Sequence, residues 1–234
     1  MQIDILTIFP KMFKAVTNES IIKRAQKKGT VKIDTIDLRA FSGDAHRKVD
    51  DRPFGGGPGM VMRAEPFFEA INYIRKKTKD QRLKTRTILM SPKGTTFNQG
   101  LAQRLAGYEH IILLCGHYEG VDERVRRHLI DEEISVGDFV LTGGELAAMI
   151  IIDAVVRLLP GALGNKDSSL SESFSKGLLE YPQYTRPSDY KGMKVPEVLL
   201  SGDHDKIRGW RKSESVKITR KKRPDLTRTE RLSK

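Results

Sequence analysis

The chain has 234 residues, 38% of them hydrophobic, with 42 Lys or Arg against 30 Asp or Glu and a formal net charge of +12. Its length allows one large domain, or one domain and a small appendage, and its apolar content excludes disorder as the default. The single Cys115 excludes an internal disulfide and a CxxC metal pair. With no apolar run of roughly 18 residues and no signal-peptide pattern, the expected setting is reducing and cytoplasmic, away from membranes.

In chain order, short apolar runs alternate with amphipathic stretches. IDILTIF (3–9), VKIDTID (31–37), TILM (87–90), HIILLC (110–115) and EEISV (132–136) read as strands. AEPFFEAINYIRKK (64–77) and NQGLAQRLAG (98–107) read as helices between them. Strands spaced by helices predict an α/β fold with a mostly parallel sheet, whose ligands bind beyond the carboxyl ends of the strands. SPKG (91–94) and CGHYEG (115–120) are read as loops at those ends. ELAAMIIIDAVVRLL (145–159) is a helix apolar almost all round, with Glu145, Asp153 and Arg157 in one polar stripe. Such a helix is buried in a core or at a subunit interface.

After residue 160 the composition shifts to Gly and Ser, as in a linker or mobile loop, and then to turns and short helices, with Asp203 or His204 starting a basic helix. Residues 206–234 hold twelve Lys or Arg against three acids. This asymmetry suggests a polyanionic partner, nucleic acid first, although a solvated tail would also look this way.

Several motifs admit both a functional and a structural reading. The glycines of VDDRPFGGGPGM (49–60) suggest a phosphate loop, but the stretch lacks GxxxxGK[ST], fails the GxGxxG spacing, and carries acids that repel phosphate. SVGDFVLTGGEL (135–146) offers backbone groups for a polar ligand, or is a tight turn before a helix. His117 has no partner at ligand spacing and is assigned to the surface. Arg157 is either paired, for instance with Asp153, or aimed at ligand charge. Tyr181, Tyr184 and Tyr190, interleaved with Arg186 and Lys191, suit stacking on bases or ordinary packing.

Together these motifs, with CGHYEG-VDER, PGALG, SFSKGLLEYPQYTRP and VPEVLLSGDHDKIRGWR, resemble in order and spacing the bacterial tRNA (guanine-N1)-methyltransferases, which belong to the SPOUT class. The resemblance covers nearly the whole chain. It implies an α/β SPOUT domain (1–163) with a deep trefoil knot in the C-terminal part of the sheet, a linker (164–175) and a small basic helical tRNA-binding domain (176–234). It also implies a homodimer whose sites are completed by the partner chain.

The cofactor implied is S-adenosylmethionine, held at Ser91, Pro92, Gly94, Gly116, Tyr118, Glu119, Val136, Gly137, Asp138, Phe139, Val140, Leu141, Gly143 and Gly144. Glu119 could serve a Mg2+ ion, although no ligand cluster of recognisable spacing is present. The reaction implied is methyl transfer to N1 of the guanine at position 37, beside the anticodon. That nitrogen needs a base to take its proton and a cation to meet the charge on O6. Resemblance gives Arg157 as the cation and places Glu172 where relatives carry a catalytic aspartate, with Asp167 the alternative if the loop register slips. Asp50 and Arg52, with backbone from Gly55 to Gly59, are expected to meet the guanine and a neighbouring phosphate. Lys206, Arg208, Arg211 and Lys212 are expected on phosphates of the anticodon arm. The rival readings are a SPOUT enzyme acting on another nucleotide and a non-catalytic RNA-binding protein.

Overall fold

The structure is a computed structural model that describes residues 1–78, 83–163, 172–175 and 177–228; Asp167 lies outside them. The chain divides into two compact units, Met1–Gly164 and Asn165–Lys234.

The first unit is built on five parallel strands in the order β2-β1-β6-β5-β7. In chain order it contains β1 (Gln2–Thr7), a 3-10 turn (Pro10–Phe13), α1 (Lys14–Thr17), α2 (Ser20–Lys27), β2 (Lys32–Asp37) and a second 3-10 turn (Leu38–Phe41). There follow β3 (Asp50–Asp51), β4 (Val61–Met62), α3 (Ala64–Lys77), β5 (Thr85–Thr96), α4 (Gln99–Ala106), β6 (His110–Cys115), α5 (Glu123–Leu129), β7 (Glu132–Ser135) and α6 (Glu145–Val156). The short β3 and β4 pair antiparallel beside the main sheet.

Side chains alternate across the strands, as the pleat requires, and build one core on each face. Ile3, Ile5, Ile88, Met90, Ile111, Leu113 and Cys115 join α2, α4 and α6 on one face. Leu6, Leu89, Ile112 and Leu114 join α3 and α5 on the other. Helix starts follow capping chemistry: Asn98 accepts the Leu101 N–H at 2.9 Å and Asp122 the Arg124 N–H at 2.8 Å.

Two readings need correction. SPKG is not a strand-to-helix loop: β5 runs on through it, with Met90 and Thr95 both opposite Ile134 of β7, so the residues between them bulge. Pairing of β5 with β6 ends at Met90, which frees one side of the strand and makes room for Pro92. The polar stripe of α6 also fails, because Glu145 is buried whereas Asp153 is exposed, and the helix stops at Val156 with Arg157 as its C-cap. The outer stripe holds Leu146 and Ile150, each about half exposed, with Asp153 one turn on.

The second unit contains the hairpin of β8 (Asp189–Tyr190) and β9 (Met193–Lys194), then α7 (Glu197–Leu200), α8 (His204–Lys222) and α9 (Asp225–Arg228). Asp203 caps α8 by accepting the N–H groups of Asp205 and Lys206, each at 3.1 Å. Buried Thr219 of α8 accepts the Leu179 N–H at 2.8 Å and fastens the preceding segment to the helix.

The bulge leaves no room for a side chain at Gly94, where a Cβ would overlap the backbone of Glu133 and Ile134. Gly94→Ala is therefore expected to cost about 2–3 kcal/mol. Gly43→Ala, with nothing within 4 Å of its Cβ, should change stability by less than about 0.5 kcal/mol. Denaturant unfolding of the two variants measures the difference.

Candidate active site

At the carboxyl ends of β5, β6 and β7 three segments converge on a cavity of about 330 Å³. They are the β5 bulge, the loop after β6 and the loop from Val136 into α6. The last runs against the two strand ends: Gly144 N–H donates to the Gly116 carbonyl at 2.8 Å, and a Cβ on Gly144 would stand 2.8 Å from Met90 Cβ and 2.9 Å from Cys115 Cα. Gly143 forms an isolated antiparallel bridge with His117. Only glycine fits at Gly144, and its backbone is thereby brought to the cavity wall.

The lining includes Ser91, Pro92, Gly116, Tyr118, Glu119, Val136, Gly137, Phe139, Val140, Leu141, Gly143 and Gly144. Gly94 and Asp138 are outside it: Gly94 serves the contact of β5 with β7, and Asp138 is exposed. Tyr118 adopts a left-handed φ of 59°, a conformation that non-glycine residues hold only when their surroundings impose it. His117 is no free surface side chain, as its ring packs edge-on between Phe9 at 5.1 Å and Tyr118 at 4.9 Å.

Sequence reading named Glu119 and missed the other charged residues of the lining: Lys93, Glu123, Arg126 and Glu133. Arg126 bonds both oxygens of Glu123 and reaches Glu133 Oε1 at 3.1 Å. With Arg127, it holds the Glu123 carboxyl down at about 2. For Glu123 and Arg126 the signal is the VDER that follows CGHYEG, since Asp122 caps α5 and the helix then carries the two residues at one-turn spacing. Nδ1 of His117 and Oε2 of Glu133 are buried with no hydrogen-bond partner among the described residues.

Beneath the cavity, buried Glu145 accepts the Thr7 hydroxyl at 2.7 Å, and Thr7 Oγ1 accepts the Phe9 N–H at 2.9 Å. This ties the start of α6 to the end of β1. Burial and the Glu145 charge push the Cys115 thiol well above its ordinary range, so it stays an inert core thiol.

The glycine loop 49–60 docks directly on the CGHYEG loop. Glu119 N–H donates to the Met60 carbonyl at 3.0 Å, Met62 N–H to the Gly120 carbonyl at 2.9 Å, and Asp122 N–H to the Met62 carbonyl at 2.9 Å. A Cβ at Gly59 would stand 2.5 Å from Glu119 Oε1. Asp50 is half-buried in β3, whereas Arg52 and Gly55 are exposed, and the ring of Phe54 is fully so. Gly55, Gly56 and Gly57 all have φ between 79° and 113°, in open space.

Arg157 is partly buried at the end of α6, its N–H on the Asp153 carbonyl at 3.2 Å. Glu172 belongs to the second unit and opens a folded turn: its carbonyl accepts the Ser175 hydroxyl at 2.6 Å, while Ser173 Oγ accepts the Glu180 N–H at 2.9 Å. On α8, Arg208 and Arg211 are neighbours at i,i+3 and Lys206 faces away from Arg208. Lys206 pairs with Asp203 at 3.2 Å, and Arg208 with Asp205.

A model of the family described as tRNA (Guanine-1)-methyltransferase TrmD matches residues 1–229. Proteins named tRNA (guanine-N(1)-)-methyltransferase are similar along almost the entire chain. That of Limosilactobacillus reuteri is 56% identical over 234 residues, covering 100% of this chain and 92% of its own. That of Moorella thermoacetica is 57% identical over 226 residues, 97% of this chain and 90% of its own. The Listeria monocytogenes protein is 53% identical over 226 residues, 97% and 91%. A cavity at the strand ends without a dinucleotide fingerprint, a glycine loop docked beside it and a full-length match thus agree: the chain belongs to the tRNA (guanine-1)-methyltransferase family.

Proposed function

We propose that the chain transfers a methyl group from S-adenosylmethionine to N1 of the guanine at position 37 of tRNA, as a cytoplasmic homodimer. Methyl transfer to N1 of a tRNA guanine is the activity for which its relatives are named. The observation that carries the cofactor reading is the charge of the cavity. Glu119, Glu123 and Glu133 line it against Lys93 and Arg126, an excess of one acid that suits a ligand whose sulfonium and ammonium outweigh its single carboxylate and disfavours polyphosphate. The residues named above as lining it would hold that ligand largely through backbone groups, as the close approach at Gly144 allows. When bound, it supplies an electrophilic methyl carbon on a positively charged sulfur.

The chain's own residues prepare the acceptor. Asp50 accepts hydrogen bonds from the guanine edge, with Arg52 on the adjacent phosphate and Gly55 to Gly59 against the base. Glu172 takes the N1 proton, which frees the nitrogen lone pair, and Arg157 meets the negative charge that develops on O6. The described residues offer no group of three His, Cys, Asp or Glu that could hold a metal ion.

The crowding of Gly144 against Met90 and Cys115 supports a tightly threaded, SPOUT-type knotted sheet, and the division into two units supports 1–163 as catalytic, 164–175 as a linker and 176–234 as the tRNA-binding part. The half-exposed Leu146 and Ile150, apolar side chains on the outer stripe of a mostly buried helix, support a homodimer through α6. No helix among the described residues is long and apolar enough to cross a membrane.

Single-turnover transfer of labelled methyl to tRNA tests the chemistry. Glu172→Gln should slow it by roughly 10²–10⁴-fold, and Arg157→Ala by about 10²–10³-fold. A near-normal rate for Glu172→Gln would move the base to another carboxylate, Asp167 first. Affinity for tRNA should fall steeply with salt. Lys206→Ala and Arg208→Ala should each reduce the log–log slope by about one, measured by filter binding across a salt series.

A further inference from the structure

We propose that the second unit carries a stacking pocket for an unpaired base of the RNA other than the methyl acceptor. The inference rests on the reading above and adds to it a second place where the same RNA is held.

A cavity of about 330 Å³ lies wholly within residues 181–211. Tyr181 and Tyr184 form its aromatic wall. The Arg211 guanidinium stands 4.9 Å over the Tyr181 ring, so a flat cation extends that wall. Leu199 and Ile207 supply an apolar floor, and Arg186 a second cation. Tyr184 is 49% exposed although its ring lies 6.3 Å from that of Trp210. A tyrosine serving only to pack this small unit would turn that face inward.

The size is at the lower end for a small-ligand site, enough for one base or nucleoside and too little for an extended chain. Ring faces and guanidinium planes are the surfaces on which unstacked RNA bases lie. The cations of residues 206–234 supply attraction for the backbone on either side. Tyr190, with Lys191 Nζ 5.4 Å over its ring, is on the hairpin and outside the lining. The structure thus selects Tyr181 and Tyr184 from the three tyrosines.

The chain has a single tryptophan, Trp210, and it lies beside Tyr184, so its emission reports on the pocket. The full-length protein is titrated with an unmodified tRNA and with tRNAs carrying one abasic residue at each anticodon-loop position in turn. The expected result is that tRNA changes Trp210 emission, and that one abasic position other than 37 removes the change and weakens binding about tenfold. Tyr184→Ala should lose about the same factor on intact tRNA and nothing further on that abasic tRNA, while Tyr184→Phe binds as wild type. Additive losses at every position would overturn the pocket. So would a Tyr184→Ala protein that binds tRNA normally but sediments as a smaller species, since the site would then seat a second copy of the chain. Methyl transfer by the wild-type protein to the same tRNA separates the two readings: no transfer defeats the enzymatic one, and transfer with additive losses defeats only the pocket.

Discussion

The first unit depends on one close backbone approach, that of Gly144 to the ends of β5 and β6. The loop from β7 has to reach this point with no side chain in the way, and its N–H is satisfied by the Gly116 carbonyl. From there α6 must start inside the molecule, which is why nearly all of it is apolar and why its first residue, Glu145, needs the Thr7 hydroxyl as a partner. A buried carboxylate without such a donor would be costly. The cavity is the space left when three strand-end segments are held this near one another.

Much of this was legible in the sequence because it is local. The five strands of the sheet announce themselves as short apolar runs, and the parallel arrangement follows from the helical stretches between them. What escaped was non-local. SPKG looks like a turn from its own residues, yet the neighbouring β7 keeps the chain extended through it, and the packing demand for glycine at Gly94 shows only when the backbone of Glu133 is found against it. Glu123, Arg126 and Glu133 gain meaning only when α5 and β7 bring them to one cavity. His117 looked idle because neither Phe9 nor the end of β1 is near it in sequence. The order and spacing of the motifs from VDDRPFGGGPGM to VPEVLLSGDHDKIRGWR, by contrast, carried the family resemblance without any structure.

Charge is divided between the two units in a way that matches two kinds of ligand. Of the net +12, +9 falls within residues 206–234 and only +3 on everything before them. The cavity of the first unit has more acid than base in its lining, whereas the cavity of the second has arginines among its rings. A small cation and a long polyanion can be sorted by such a division before any shape is matched.

The hydrogen bonds that join Met60 and Met62 to the Glu119–Asp122 segment have a thermodynamic consequence. Two loops that share backbone partners cannot rearrange independently. A ligand that favours one arrangement of Tyr118 to Gly120 biases the glycine loop, and occupancy of that loop must bias the first by the same factor, because linkage between binding equilibria is reciprocal. Gly59 pressed on the Glu119 side chain is thus a mechanical joint: whichever molecule arrives first sets the terms on which the second is received.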